Sequence, residues 1–293
     1  MTDIKQGFFD IFRLMKPRII TLLAITCVGA MLVASKGNTD LLTFNALVWG
    51  TIGLCLSAGG ANTVNMWYDR DIDKVMKRTQ NRPLPAGRMQ PNTVLFLGIF
   101  WGIFAHILLS IMVNPLTAWM ATAGYLFYVF IYTMFLKRRT VQNIVIGGAA
   151  GAFPPVVGWA AVQNDISSWL PWAMFLIIFL WTPPHFWALA LKKRDDYSKA
   201  NIPMLPCVKG EAETKVQIVY YMLLLIPVTL SVGLWGHMGL IYFAACVILG
   251  GVWLFKAYKL MQDNGIERAM DVFMYSLYYL AFLFAAMVVD TFI

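Results

Sequence analysis

Three oxygen-bearing side chains, Asn65, Asp69 and Asp73, recur every four residues in the stretch NMWYDRDIDKVMKRTQNRPLP. If a helix continues past Asn65, they share one of its faces, because positions four apart stack one turn above another. Asn62 and Lys77 extend that stripe by a turn each way, and Asp71 points roughly opposite. Two carboxylates one turn apart repel each other unless a cation lies between them. Hard divalent ions such as Mg2+ take carboxylate and amide oxygens, commonly one or two protein carboxylates together with substrate phosphates. Lys74, Lys77, Arg78 and Arg82 follow closely, and their charges suit the phosphate oxygens that a metal leaves free. A solvated mixed-charge loop is the plainer alternative; an amide at the same helical interval argues against it. A calcium-loop reading of Asp69, Asp71 and Asp73 fails, because its sixth and twelfth positions need Gly and Glu and hold Lys74 and Gln80.

A second acidic pair, Asp195 and Asp196, follows the apolar run WTPPHFWALAL and is surrounded by Lys192, Lys193 and Arg194. Two acidic helix ends on one side of a membrane can face each other across a cavity. Pro183 and Pro184 are expected to interrupt the helix before this pair, and GGAAGAFPPVVGW (147–159) to break the one before that. Such breaks are tolerated where a helix is buried or lines a cavity, so both are expected in a pocket wall, with ligand-free kinks as the alternative.

The elements that must position these groups are set by composition. The chain has 293 residues, 59% hydrophobic and 13% charged, with mean hydropathy +0.66; soluble domains are about 45–50% apolar and about 25% charged. Long apolar runs recur from end to end, and no polar block is large enough for a separate soluble domain. One membrane domain over 1–293 is the expectation. A crossing needs about 20 apolar residues. Nine such runs stand at 19–36, 43–64, 93–112, 116–136, 142–162, 169–190, 216–235, 239–256 and 272–291. All of the 23 basic residues except Lys36 fall on one set of alternating connections. That places the N-terminus and the basic loops in the cytoplasm and the C-terminus outside. The net charge of +8 therefore reads as topology, and no nucleic-acid partner is expected. All of the 15 acids except Asp40, Asp165 and Asp290 share the cytoplasmic side, which topology does not explain. The four cysteines form no CxxC pair and read as small core residues. Asp3, Asp10 and the lack of a cleavage site argue against a secretory signal peptide.

At these residues the chain resembles the intramembrane aromatic prenyltransferases of the ubiquinone-pathway superfamily. That family carries N-x-x-x-D-x-x-x-D after its second span and D-x-x-x-D after its sixth. Asn65, Asp69 and Asp73 match the first motif throughout; in the second, Asp196 takes the final place and Lys192 stands where an aspartate is usual. The blocks NMWYDRDIDKVMKRTQNRPLP, YTMFLKRRTVQNIVIGGAAGAFPPVVGW, WTPPHFWALALKKRDDY and NIPMLP look like the branch of that family that farnesylates protoheme IX.

The resemblance implies an all-α integral membrane protein, nine helices around a central cavity. It implies transfer of farnesyl from farnesyl diphosphate to a vinyl group of heme b, with water addition, giving heme O. In that reading Asp69, Asp73, Asp196 and Lys192 are catalytic, and Asn65, Asp69, Asp73 and Asp196 hold Mg2+. Asn62, Asn65, Lys77, Arg78, Arg82, Lys137 and Arg138 bind the diphosphate end, although each cation can equally be a topology signal. His185, beside the Pro pair, is the chosen heme contact, against a plain interhelical hydrogen bond; His106 and His237 rank below it. Terminal oxidase assembly factors are further implied partners, and a bacterial inner membrane is the implied location. Two alternatives stay open: a relative of the same fold acting on an aromatic acid such as 4-hydroxybenzoate, and a non-enzymatic transporter or heme-carrying cytochrome.

Overall fold

The structure, a computed structural model, describes residues 2–38, 40–236 and 238–293, with side chains from residue 6 onward. Among the described residues, nine helices are long and apolar enough to cross a membrane. Helix α1 (Thr2–Leu14) precedes the first crossing, α2 (Pro17–Ala34). Then come α3 (Asn45–Tyr68), the single turn α4 (Ile72–Val75), α5 (Pro91–Met112), α6 (Pro115–Leu136), α7 (Asn143–Gln163) and α8 (Trp169–Lys192). Short helices α9 (Arg194–Lys199) and α10 (Leu205–Val208) lead into α11 (Gly210–Trp235), α12 (Leu240–Gln262) and α13 (Ala269–Phe292).

Local chemistry explains the starts. Pro17, Pro91 and Pro115 each open a crossing helix, where the missing N–H forfeits no intrahelical bond. Asn114 caps α6 by accepting from the Thr117 amide. The nine apolar runs read from the sequence match the crossings; α3, α11 and α12 each extend one or two turns beyond the apolar run itself.

The break expected within 147–159 forms at Gly148, where α7 loosens, whereas the one expected at Pro183–Pro184 does not form. Pro154–Pro155 and Pro183–Pro184 are both buried inside continuous helix. Each proline removes one amide donor, but dense packing between α7 and α8 holds the helical course.

Two apolar clusters build the interior. One joins α8, α11, α12 and α13 to parts of α2 and α7; the other joins α2, α3, α5, α6 and α7. Where α3 meets α5, a Cβ on Gly60 would lie 2.8 Å from the Gly98 carbonyl oxygen, so small residues let these backbones touch. That contact fixes the helix bearing Asn62 and Asn65. Large apolar side chains such as Phe96, Phe130 and Phe255 are exposed on the outside, as a lipid-facing belt requires. At one end of the bundle, Met76, Ile144, Ala190, Ala200, Ile202 and Met204 pack together, so the connections after α3, α6 and α8 converge there.

Candidate active site

Helix α3 ends at Tyr68, one residue before the first acid. Asp69 is its C-cap, and α4 resumes at Ile72. The uninterrupted helix expected from the spacing is therefore broken at 69–71. The register survives the break: the Asp69 amide donates to Asn65 O at 2.9 Å and the Asp73 amide to Asp69 O at 2.8 Å. Asn62, Asn65, Asp69 and Asp73 consequently stay together and are all buried. Asp71 is turned out, with its side chain 60% exposed.

Each buried carboxylate of this segment has a cation, from nine residues on for Asp73 and from 68 residues on for Asp69. Lys137 Nζ donates to Asp69 Oδ2, and Arg82 Nη1 to Asp73 Oδ2 at 2.6 Å. Arg138 reaches Asp69 Oδ1 at 3.4 Å and holds both oxygens of Asp71 at 2.7 Å. That guanidinium keeps Asp71 down at about 2. Asn65 Nδ2 donates to Asp69 Oδ2 at 2.8 Å and to Thr133 Oγ1 at 3.1 Å. Helix α6 delivers Thr133 and Lys137 because it widens to a π-helix over Phe127–Leu136, a form that re-aims side chains and recurs at functional sites.

Lys16 completes the cluster and went unassigned in the sequence. Its Nζ donates to Asn65 Oδ1 at 2.7 Å, while the neighbouring Met15 carbonyl accepts from Asn62 Nδ2 at 3.1 Å. Lys16 has φ 58°, a left-handed conformation that a non-glycine residue adopts at a cost. Burial first, and then the positive charges of Arg82 and Lys137, push its ammonium well below the usual lysine range. No periodicity links position 16 to position 65; a basic residue before an N-terminal Pro is the sole local signal.

The other expected cations lie elsewhere. Lys77 falls beyond α4, after the extended Met76, and is exposed, so it does not continue the Asn62–Asp73 stripe. Arg78 is exposed too, although its charge acts on Tyr132 and Tyr197.

The second motif is built differently. A bend at Lys193 separates α8 from α9, so Lys192 and Asp196 do not share a helix. Lys192 and Asp195 are exposed and Asp196 is half-buried. Among the described residues none of the three has a side-chain hydrogen bond or ion pair, and no group of three or more His, Cys, Asp or Glu side chains is gathered for a metal. Tyr197 packs inward from this loop, against the cluster of Met76, Ile144 and Met204. Its hydroxyl is pushed up by burial, and the charges of Arg78 and Lys137 oppose that rise.

His185 is buried between α8 and α13. Its Nδ1 lies 2.6 Å from Ser276 Oγ, and its ring stacks on Trp181 and Phe273 at 4.2 and 4.6 Å. This is the interhelical hydrogen bond that the sequence offered as the alternative to a heme contact. His106 pairs with Thr122 between α5 and α6, and His237 lies outside the described residues.

The donor set fits a hard divalent cation in part. Carboxylate and amide oxygens of Asp69, Asp73 and Asn65 converge, and Asp73 Oδ1 carries no hydrogen bond among the described residues. The other facing oxygens, however, are held by Lys16, Lys137 and Arg82. Four cations, Lys16, Arg82, Lys137 and Arg138, face three carboxylates, and buried Arg138 Nε has no partner among the described residues. An anionic oxygen-rich ligand suits that surplus.

Residues 22–286 match the UbiA prenyltransferase family. A protoheme IX farnesyltransferase of Symbiobacterium thermophilum is 50% identical over 283 residues, 96% of this chain and 93% of that one. One of Synechocystis sp. is 48% identical over 282 residues, covering 96% and 88%. Among solved structures, a digeranylgeranylglyceryl phosphate synthase superposes with TM-score 0.79 at 17% identity, over 100% of this chain and 99% of that one. A UbiA homolog from Archaeoglobus fulgidus bound to DMAPP and Mg2+ gives 0.70 at 13%, over 95% and 99%. These two likenesses speak for the fold.

Proposed function

The chain belongs to the UbiA prenyltransferase family, and from that premise we propose that it transfers the farnesyl group of farnesyl diphosphate to a vinyl carbon of heme b. Water then adds, giving heme O and diphosphate. The observation that carries the reaction type is the buried pairing of Asp69 and Asp73 with Lys137 and Arg82 at one end of a membrane bundle. The near full-length relatives, named for protoheme IX, support the acceptor.

Diphosphate is the ligand such a cluster suits. Its oxygens draw Arg82, Lys137, Arg138 and Lys16 away from the carboxylates, which frees Asp69, Asp73 and the Asn65 amide oxygen to face Mg2+. Bound there, Mg2+ supplies neutralising charge to the leaving diphosphate. Lys137, Arg138 and Arg82 stabilise the charge that develops as the C1–O bond breaks. Asp196, on the second loop at the same end of the bundle, would be the further carboxylate available to that cation. The vinyl carbon attacks the allylic C1, forming the new C–C bond. Water then adds at the adjacent carbon and releases a proton. Exclusion of water before that step prevents simple hydrolysis, and the apolar surroundings of the α3–α6 cluster serve it. We place the site at the cytoplasmic end of a single inner-membrane domain, where the basic connections gather.

Purified protein given farnesyl diphosphate, Mg2+, heme b and 4-hydroxybenzoate together provides the test. The expected product is heme O; a prenylated phenol beside unchanged heme would refute the acceptor.

A further inference from the structure

Helix α1 has two unlike faces. Asp10 and Leu14, one turn apart, turn inward: Arg88 holds Asp10 through two bonds of 2.8 and 3.1 Å, and Leu14 packs with Met66, Leu84 and Val94. Phe8, Phe9 and Phe12 turn outward and are 74%, 59% and 51% exposed. Water is a poor environment for three neighbouring phenyl rings on so short a helix.

The position of the helix identifies what covers them. Helix α1 ends two residues before α2 begins, and its inner face rests on Val94, in the first turn of the crossing helix α5. It therefore lies at the level where the crossings leave the bilayer. Ile19 at the start of α2 and Phe96 at the start of α5 are exposed as well. Exposed Arg13 lies with its guanidinium 5.6 Å from the Phe9 ring, and Arg18, in the first turn of α2, is exposed too. Aromatic rings on one side with arginines at the margin is the pattern of a helix lying in the headgroup region of a bilayer.

We propose that α1 is an in-plane membrane helix, seated in the lipid headgroup boundary through Phe8, Phe9 and Phe12, and that this seating holds Lys16 in the diphosphate site. The link is short and covalent: Met15 and Lys16 follow α1 directly and bond to Asn62 and Asn65. A Cβ on Gly59 would strike the Met15 side chain at 2.3 Å, so this turn is fitted closely against α3. The coupling to Lys16 rests on the diphosphate reading; the lipid contact does not.

The full chain in nanodiscs containing anionic phospholipid, carrying p-benzoylphenylalanine at Phe8, Phe12 or, as a solvent-exposed reference, Lys74, is irradiated and its adducts are weighed. Lipid adducts are expected at positions 8 and 12, well above the Lys74 level. Adducts to a second copy of the chain, or lipid adducts no more frequent than at Lys74, would overturn the proposal. For the coupling, inorganic diphosphate binding in the presence of Mg2+ is compared between the natural chain, a Phe8→Ser/Phe9→Ser/Phe12→Ser variant and a Phe8→Leu/Phe9→Leu/Phe12→Leu variant. The serine variant is expected to bind about tenfold more weakly, the scale of one charged hydrogen bond, and the leucine variant as the natural chain does. Equal affinity in the serine variant would overturn the coupling whatever the lipid adducts show.

Discussion

The two acidic loops of this protein, 65–82 and 192–197, occupy the same end of the bundle in opposite states. In the first, Asp69 and Asp73 are buried and each is already matched to a cation. In the second, Lys192 and Asp195 are exposed and Asp196 is half-buried, with no side-chain partner among the described residues. The difference teaches that one half of the site is organised before any ligand arrives, while the other is free to be recruited by one. Preorganised charge is what makes a stabilised leaving group inexpensive at the moment of reaction.

The largest effects are expected in the organised loop. Asp69→Asn or Asp73→Asn should lower kcat/KM for farnesyl transfer by about 100-fold or more, with the thermal unfolding profile in detergent reporting that the chain still folds. Lys137→Met or Arg82→Met should cost about tenfold to 100-fold, and raise the KM for farnesyl diphosphate. Asp196→Asn should cost about tenfold, expressed in the Mg2+ concentration needed for half-maximal rate. Lys192→Ala, by contrast, should stay within about twofold, as for an exposed charge; a loss as large as that of Asp69→Asn would erase the distinction between the loops. Asp71→Asn belongs with the small effects, within about threefold, although it lies between Asp69 and Asp73 in sequence.

The smallest effect concerns the support of the organised loop by α1. Arg88 holds the Asp10 carboxyl below the usual carboxylate range. A carboxyl lowered by folding stabilises the folded state above its unfolded pKa, and that stabilisation fades as pH falls through the folded value. Tryptic cleavage at Arg13 should therefore be slow at neutral pH and should quicken in Asp10→Asn. A variant cleaved at the natural rate would show that the pair does not hold α1.

The crossings are legible in the sequence because hydrophobic length is a local signal that tertiary packing does not override. The Asn65–Asp69–Asp73 face is legible for a similar reason, since hydrogen bonding carries the four-residue register through the break at Asp69. What the spacing does not reveal is the break itself, where three acids of the same short segment lie in two environments. Lys16 is hidden because a left-handed turn, not a periodic pattern, brings it 49 positions along the chain to Asn65. Thr133 is hidden because a π-helical stretch shifts its direction. The proline pairs mislead: proline weakens a helix locally, yet burial on all sides keeps α7 and α8 helical. The turn at Lys193, which separates Lys192 and Asp196 into two helices, is likewise not marked by the motif spacing.

The most direct test of the central claim is the mass of the heme recovered after membranes containing the natural chain, Asp69→Asn or Asp73→Asn are supplied with farnesyl diphosphate and heme b. The account expects hydroxyethylfarnesyl heme from the natural chain and unchanged heme b from both variants. Full conversion by either variant would contradict a diphosphate site at Asp69 and Asp73.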